Sequence, residues 1–258
     1  MVDQEEIQRY RELREIVRRL RAPDGCPWDR EQTHTSLRPY LLQEAYEVIA
    51  TLDDGDTARL PDELGDLLWQ VLIHAQVAAE AGEFTMSDVL GAIAAKLVRR
   101  HPHVFGDERL ATAAEVVERW ETLKRNEREE EASALQGVPV ALPALAQAQE
   151  VLRRAAAAGF AWPGRDDVVA KIAEEVEELA AAETVEARTE EFGDLLLNLA
   201  NYARYLNVDA EDALRLAVGK FRRRFLAAEA LARESGRSFA AMSREELLGV
   251  WDEVKRQG

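Results

Sequence analysis

Cysteine is almost missing from this chain: among 258 residues only Cys26 carries a thiol, so neither an intrachain disulfide framework nor a site of several thiolates can be built. That usage fits a reducing compartment, and a cytoplasmic protein is expected. Long apolar runs are missing too. No stretch of about 18 apolar residues occurs, and the opening MVDQEEIQRYRELREIVRRL is charged where a secretory signal would carry an apolar centre. Neither a membrane-spanning nor a targeting segment is therefore expected. Positive charge is in deficit: 33 Lys and Arg face 49 Asp and Glu, a formal charge of -16, which repels polyanions and argues against general nucleic-acid binding. Histidine is scarce, at 34, 74, 101 and 103. The Glu-x-x-His rung needed twice by ferritin-like di-iron bundles occurs once, at Glu31 and His34, between Pro27 and Pro39. His101 and His103 receive no catalytic role.

What is present is a chain with 47% hydrophobic residues, long enough for one large or two modest domains. Apolar residues recur at helical spacing, as in Leu64, Leu67, Leu68, Val71, Leu72, Ala75 and Ala78, while alternating strand-like runs are nearly absent. The expected fold class is all-α. Prolines at 23, 27, 39, 61, 102, 139, 143 and 163 punctuate the first part, and residues 164–258 contain none. The charge run NEREEE followed by ASALQGVPVALP reads as a connection, giving modules 1–127 and 128–258.

The two modules repeat one another in order. Trp28 pairs with Trp162, Glu44 and Glu47 with Glu175 and Glu178, and Glu63, Gly65 and Asp66 with Glu191, Gly193 and Asp194. SDVLGAIAAKLVRR matches EDALRLAVGKFRRR, equating Lys96 and Arg100 with Lys220 and Arg224; WETLK matches WDEVK, equating Trp120 and Lys124 with Trp251 and Lys255. Any two acidic amphipathic helices look somewhat alike, but ordered matches along the whole chain point to two copies of a helical module of roughly a hundred residues.

Residues three apart share a helix face, so Glu44 with Glu47 and Glu63 with Asp66 form two carboxylate rungs, repeated by Glu175 with Glu178 and Glu191 with Asp194. If the helices are antiparallel neighbours, each module gathers four carboxylates, which repel one another unless a cation intervenes. An all-oxygen donor set favours Mg²⁺ or Mn²⁺ over zinc. Leu67, Leu68, Leu195 and Leu196 flank the rungs and place them near a buried stripe, against the ordinary reading of a solvated acidic face. Glycine inside a helix costs about 1 kcal/mol relative to alanine, so Gly65 and Gly193 suggest close approach of the paired helices. Phosphate chemistry also needs cations: Lys220 with Arg224, and Trp251 with Lys255, stand at helical i, i+4 spacing. Trp251 can stack on a base or simply anchor its helix.

The segments CPWDREQTHTSLRPYLLQEAYEV (26–48), DELGDLLWQV (62–71) and KLVRRHPHVFGD (96–107) resemble the MazG nucleoside triphosphate pyrophosphohydrolases, in the all-α NTP pyrophosphohydrolase group. The likeness extends over nearly the whole chain, tandem modules included. It implies hydrolysis of nucleoside triphosphates to monophosphate and pyrophosphate, in the service of nucleotide-pool cleansing or regulation, with Mg²⁺ dependence and a homodimer. The family's EExxE and ExxD motifs fall on Glu174, Glu175, Glu178, Glu191 and Asp194. The resemblance then implies Glu175, Glu178, Glu191 and Asp194 as metal ligands, Glu174 as the base or water-orienting group, and Lys171, Lys220, Arg224 and Lys255 as phosphate-facing cations. In the first module Gln43 stands for Glu174 and Tyr40 for Lys171. Both changes remove charge, so the main catalytic centre is expected in the second module, with Glu44, Glu47, Glu63 and Asp66 as a weaker second site. A competing reading keeps the fold and makes the acidic helices a metal-stabilised scaffold without catalysis.

Overall fold

The computed structural model describes residues 3–126 and 133–257, without the side chains of residues 118, 121, 124–126 and 257. No β-strand occurs among the described residues, as the 3.6-residue periodicity predicts. The chain forms two compact units, Met1–Glu127 and Arg128–Gly258.

The first unit contains α1 (Gln4–Leu20), α2 (Pro27–Glu31), α3 (His34–Asp54), α4 (Leu60–Ala81), α5 (Met86–Arg100), α6 (Pro102–Phe105) and α7 (Ala113–Asn126). Helix α3 starts with a reciprocal cap: Thr33 Oγ1 accepts from the Ser36 amide at 3.2 Å, and Ser36 Oγ accepts from the Thr33 amide at 2.9 Å. It stops at Gly55, whose φ of +66° is the left-handed geometry that glycine adopts without strain. The chain then turns back into α4, so α3 and α4 pack as an antiparallel hairpin, with α1 and α5 against α4. Their core is Val17, Leu37, Leu72, Ile73, Ala75 and Met86.

The second unit contains α8 (Ala144–Ala157), α9 (Arg165–Ala181), α10 (Val185–Tyr205), α11 (Ala210–Glu234), a short 3₁₀ turn (Phe239–Ala241) and α12 (Arg244–Gln257). Here α9 and α10 form the hairpin, α8 packs on α10 and α11, and α12 lies on α11. Thr184 caps α10 by accepting from the Ala187 amide at 3.1 Å. Leu152, Val168, Ala200, Ala203, Ala228, Ala232 and Val254 are buried.

Three local expectations change. Pro39 lies inside α3 rather than at a boundary. A Cβ added at Gly65 or Gly193 meets nothing within 4 Å, so close helix approach is not what these glycines serve within a unit. The apolar stripe on α4 is split: Leu72, Ala75 and Ala78 are buried, while Leu64, Leu68 and Val71 are exposed. An amphipathic helix with apolar residues on two faces buries one in its own unit and presents the other outward.

Candidate metal centres

Each hairpin brings together three of its four expected carboxylates. Glu44 of α3 meets Glu63 and Asp66 of α4, and Glu175 and Glu178 of α9 meet Glu191 of α10; within each trio one oxygen per residue lies within 4.8 Å of the others. Glu47 and Asp194 stand outside these tight trios, yet both act electrostatically on them. Burial first, then the charges of Asp66, Glu47 and Glu63, push the Glu44 carboxyl above its ordinary pKa. At Glu191 burial again leads, followed by Glu178, Glu175, Glu190 and Asp194. Glu47 accepts a hydrogen bond from Gln43 Nε2 at 2.9 Å.

One carboxylate in each trio is buried: Glu63 at 4% exposure and Glu175 at 3%. Lys171 Nζ is 3.0 Å from both Glu174 Oε1 and Glu175 Oε1. These hydrogen bonds, Glu174 first, raise the lysine pKa well above its ordinary value. Across the hairpin, Asn198 of α10 donates its side-chain amide to Glu175 Oε1 at 3.3 Å and to the Asp194 carbonyl at 3.0 Å. In the first unit Arg59 Nε is 2.6 Å from Glu63 Oε1. Asn198 and Arg59 are absent from the motif-based set. Each nevertheless stands one helical turn from a motif carboxylate, after Asp194 and before Glu63, and i, i+4 spacing is the signal that finds them.

The donor set suits a hard divalent ion. Among the described residues both candidate metal groups are purely carboxylate, and crowded negative charge holding carboxyl pKa values up is relieved by a cation of oxygen-ligand preference. The lone Glu31 and His34 pair falls on two different helices, α2 and α3. His34 Nδ1 instead faces His74 Nδ1 at 2.7 Å.

The expected phosphate-binding residues lie on the outer helices. Lys220 is exposed and Arg224 half-buried on α11. Trp251 of α12 packs on Phe221, ring centroids 5.3 Å apart, so it does anchor its helix. It also lines a groove of about 410 Å³ with Phe221, Phe225, Phe239 and Leu248. Lys255 pairs with Asp252 at 2.6 Å. In the first unit Lys96 is exposed on α5, the Arg100 guanidinium sits 5.5 Å from the Trp120 ring centroid, and His101 meets that ring edge-on at 4.9 Å. The Lys124 side chain lies outside the described residues.

A family model, the MazG nucleotide pyrophosphohydrolase domain, matches this chain twice, at residues 32–105 and 164–225. Those segments contain the α3–α4 and α9–α10 hairpins. The nucleoside triphosphate pyrophosphohydrolase/pyrophosphatase MazG of Thermotoga maritima is 42% identical over 247 residues, covering 95% of each chain. The nucleoside triphosphate pyrophosphohydrolase of Escherichia coli is 44% identical over 250 residues, covering 94% of this chain and 95% of its own. The corresponding protein of Mycolicibacterium smegmatis is 42% identical over 138 residues, covering 52% of this chain and 42% of its own. With the family model matched in both hairpins and relatives aligned along almost the full length, the chain belongs to the MazG nucleotide pyrophosphohydrolase family.

Proposed function

We propose that this chain is a Mg²⁺-dependent nucleoside triphosphate pyrophosphohydrolase that converts NTP and water to NMP and pyrophosphate, with its main catalytic centre in the second unit. The observation that carries this reading is the trio Glu175, Glu178 and Glu191, gathered within 4.8 Å beside Lys171 in a MazG-family chain. Glu175, Glu178 and Glu191, with Asp194 one turn further along α10, would hold the ion. Bound Mg²⁺, or Mn²⁺ in its place, supplies charge neutralisation of the triphosphate and a more acidic water. Glu174, exposed and held by Lys171, accepts a proton from the attacking water or orients it. Lys171 neutralises Glu175 in the free protein and offsets charge redistributing over the phosphates during cleavage. Lys220, Arg224 and Lys255 are assigned to the phosphates by the family resemblance, and the aromatic groove at Trp251 offers a face for the base.

The first unit lacks the groups that stand at Lys171 and Glu174, having Tyr40 and Gln43. An amide accepts no proton at neutral pH, which supports ranking this unit second as a catalyst. The exposed apolar residues of the hairpins, Leu64 and Leu68 in one unit and Phe192, Leu196 and Leu199 in the other, support a homodimer that covers them. Among the described residues no helix is long and apolar enough to cross a membrane. The single cysteine supports a cytoplasmic site of action, and the net charge of -16 speaks against nucleic acid as a partner. A role in clearing or regulating the nucleotide pool follows from the reaction.

Phosphate release from a panel of ribo- and deoxynucleoside triphosphates, coupled to inorganic pyrophosphatase and compared with and without EDTA, tests the reading. Metal-dependent release is expected for at least one nucleotide. No release with any nucleotide would leave a scaffold rather than an enzyme.

A further inference from the structure

The repeat is broken at a charged position far from the carboxylate trios. Arg204, in the last turn of α10, stands where the first unit has Gln76. Gln76 donates to Glu80 one turn later at 2.9 Å. Arg204 has no carboxylate within ion-pair distance among the described residues, and its Nη1 donates instead to Asn201 Oδ1 at 2.8 Å. The guanidinium is half-buried. Burial lowers its pKa, Tyr205 opposes that effect, and the positive charge of Arg153 adds to it. Glu150, in the same region, is already committed: it accepts from Arg153 at 2.8 and 2.9 Å and from Arg154 at 2.6 Å. A partly desolvated cation beside another cation is stabilised by an anion that the chain itself does not supply.

Arg204, Arg153 and Glu150 line a cavity of about 600 Å³ between α8, the end of α10 and the turn into α11. That volume is in the range of small-molecule sites. Its wall is pinned, because Gln149 of α8 donates Nε2 to the Val208 carbonyl at 2.7 Å and accepts from the Ala210 amide at 2.9 Å. Glu191 lies in the first half of α10 and Arg204 in its last turn, roughly 20 Å further along the axis, so the cavity is separate from the metal trio. Asn201, which holds Arg204, is 1% exposed and keeps its Nδ2 buried without a partner. One donor therefore stays unmet next to the same guanidinium.

We propose that this cavity binds a single phosphate group, free or carried as a small phosphate monoester, at Arg204 and Arg153. Both guanidiniums stay charged at neutral pH and present planar forks that match phosphate oxygens. The charge balance limits the ligand to one such group. Glu150 and Asp209 also line the cavity, and Asp209 is fixed there by accepting from the Asp212 amide at 2.9 Å. Their negative charge opposes the further phosphates of a triphosphate. A nucleoside monophosphate and inorganic phosphate both meet the requirement, so the site distinguishes the product of the proposed reaction from its substrate. Gln76 gives the first unit no matching cation.

Isothermal titration calorimetry on the full chain in EDTA tests the site, with inorganic phosphate in one arm and a nucleoside monophosphate in another. EDTA keeps turnover and metal-bridged phosphate out of the measurement, so a failure here is distinct from a failure of the hydrolase reading. Wild type should bind one equivalent per chain, more weakly as salt is raised. Arg204→Gln, which copies the first unit, should weaken binding by about tenfold or more, and Arg204→Lys should restore part of it. Val208→Trp, at an exposed position on the cavity wall, should block binding without changing a charge. Thermal melts should show each variant folded. Equal affinity for the two ligands would support recognition of phosphate alone, and tighter monophosphate would support an added contact to the nucleoside. No binding of either ligand at millimolar concentration, or binding that neither Arg204→Gln nor Val208→Trp weakens, would overturn the proposal.

Discussion

Asn198 of α10 donates its side-chain amide to Glu175 of α9 at 3.3 Å, tying the buried carboxylate of the second trio to the helix that carries Glu191 and Asp194. The same amide also holds the Asp194 carbonyl at 3.0 Å. With Lys171 on the same oxygen of Glu175, that carboxylate is oriented before any ion arrives. Outer partners of this kind set the geometry of ligands they touch, and losing one costs about tenfold to a hundredfold in metal affinity or activity. Asn198→Ala is therefore expected to weaken Mn²⁺ binding at the second unit by about tenfold, read by paramagnetic resonance, and to raise the Mg²⁺ concentration needed for half-maximal turnover.

Glu178 and Glu47 rank the two units. Glu178 belongs to its trio, whereas Glu47 lies outside the tight first trio and is engaged by Gln43. Glu178→Gln should remove most turnover, by about a hundredfold or more, while Glu47→Gln keeps the greater part. Steady-state kinetics on both variants, after melts show them folded, check the order. Greater damage from Glu47→Gln would make the first unit the principal catalyst.

Stability of the second unit should respond to acid through Glu150. Burial opposes its ionisation, but hydrogen bonds from Arg153 and Arg154 outweigh that cost and bring its pKa down to about 2. A carboxyl with a folded-state pKa below its unfolded value stabilises the fold above the unfolded value, near 4.5, and loses that contribution as pH falls toward 2. Glu150→Gln leaves the guanidinium of Arg154, 8% exposed, without this carboxylate. It should cost about 1–3 kcal/mol at neutral pH, and the gap to wild type should narrow between pH 4.5 and 2. Chemical denaturation at a series of pH values measures both.

The helical class, the two hairpins and most of the carboxylates were legible in the sequence because 3.6-residue periodicity and i, i+3 spacing determine which side chains share a face. Glu44, Glu63 and Asp66 could be grouped from spacing plus the assumption of an antiparallel turn, and the structure gathers them. Contacts across the hairpin were less accessible. That Asn198 reaches Glu175 on the facing helix depends on helix rotation and register, which a repeat pattern leaves open. Gly65 misled for the same reason: a glycine in a helix signals a tight approach only if a neighbour is there, and in this chain none is. Leu64 and Leu68 read as one stripe with Leu72, but packing divides them between an inner and an outer face.

The outer faces bear on assembly. Phe192, Leu196 and Leu199 on α10 are 52%, 38% and 43% exposed, the kind of apolar side chains that a second subunit would cover in the proposed homodimer. Light scattering should give twice the chain mass of 29.0 kDa at micromolar concentration. Leu196→Glu should shift the protein toward 29.0 kDa while its helical signal persists. A wild-type monomer would contradict the dimer.

The primary product of nucleoside triphosphate cleavage tests the central claim most directly. Anion-exchange chromatography at early time points, with Mg²⁺ and without added pyrophosphatase, should show NMP and pyrophosphate rising together from the first sample, and neither in EDTA. Nucleoside diphosphate and free phosphate as first products would contradict the account.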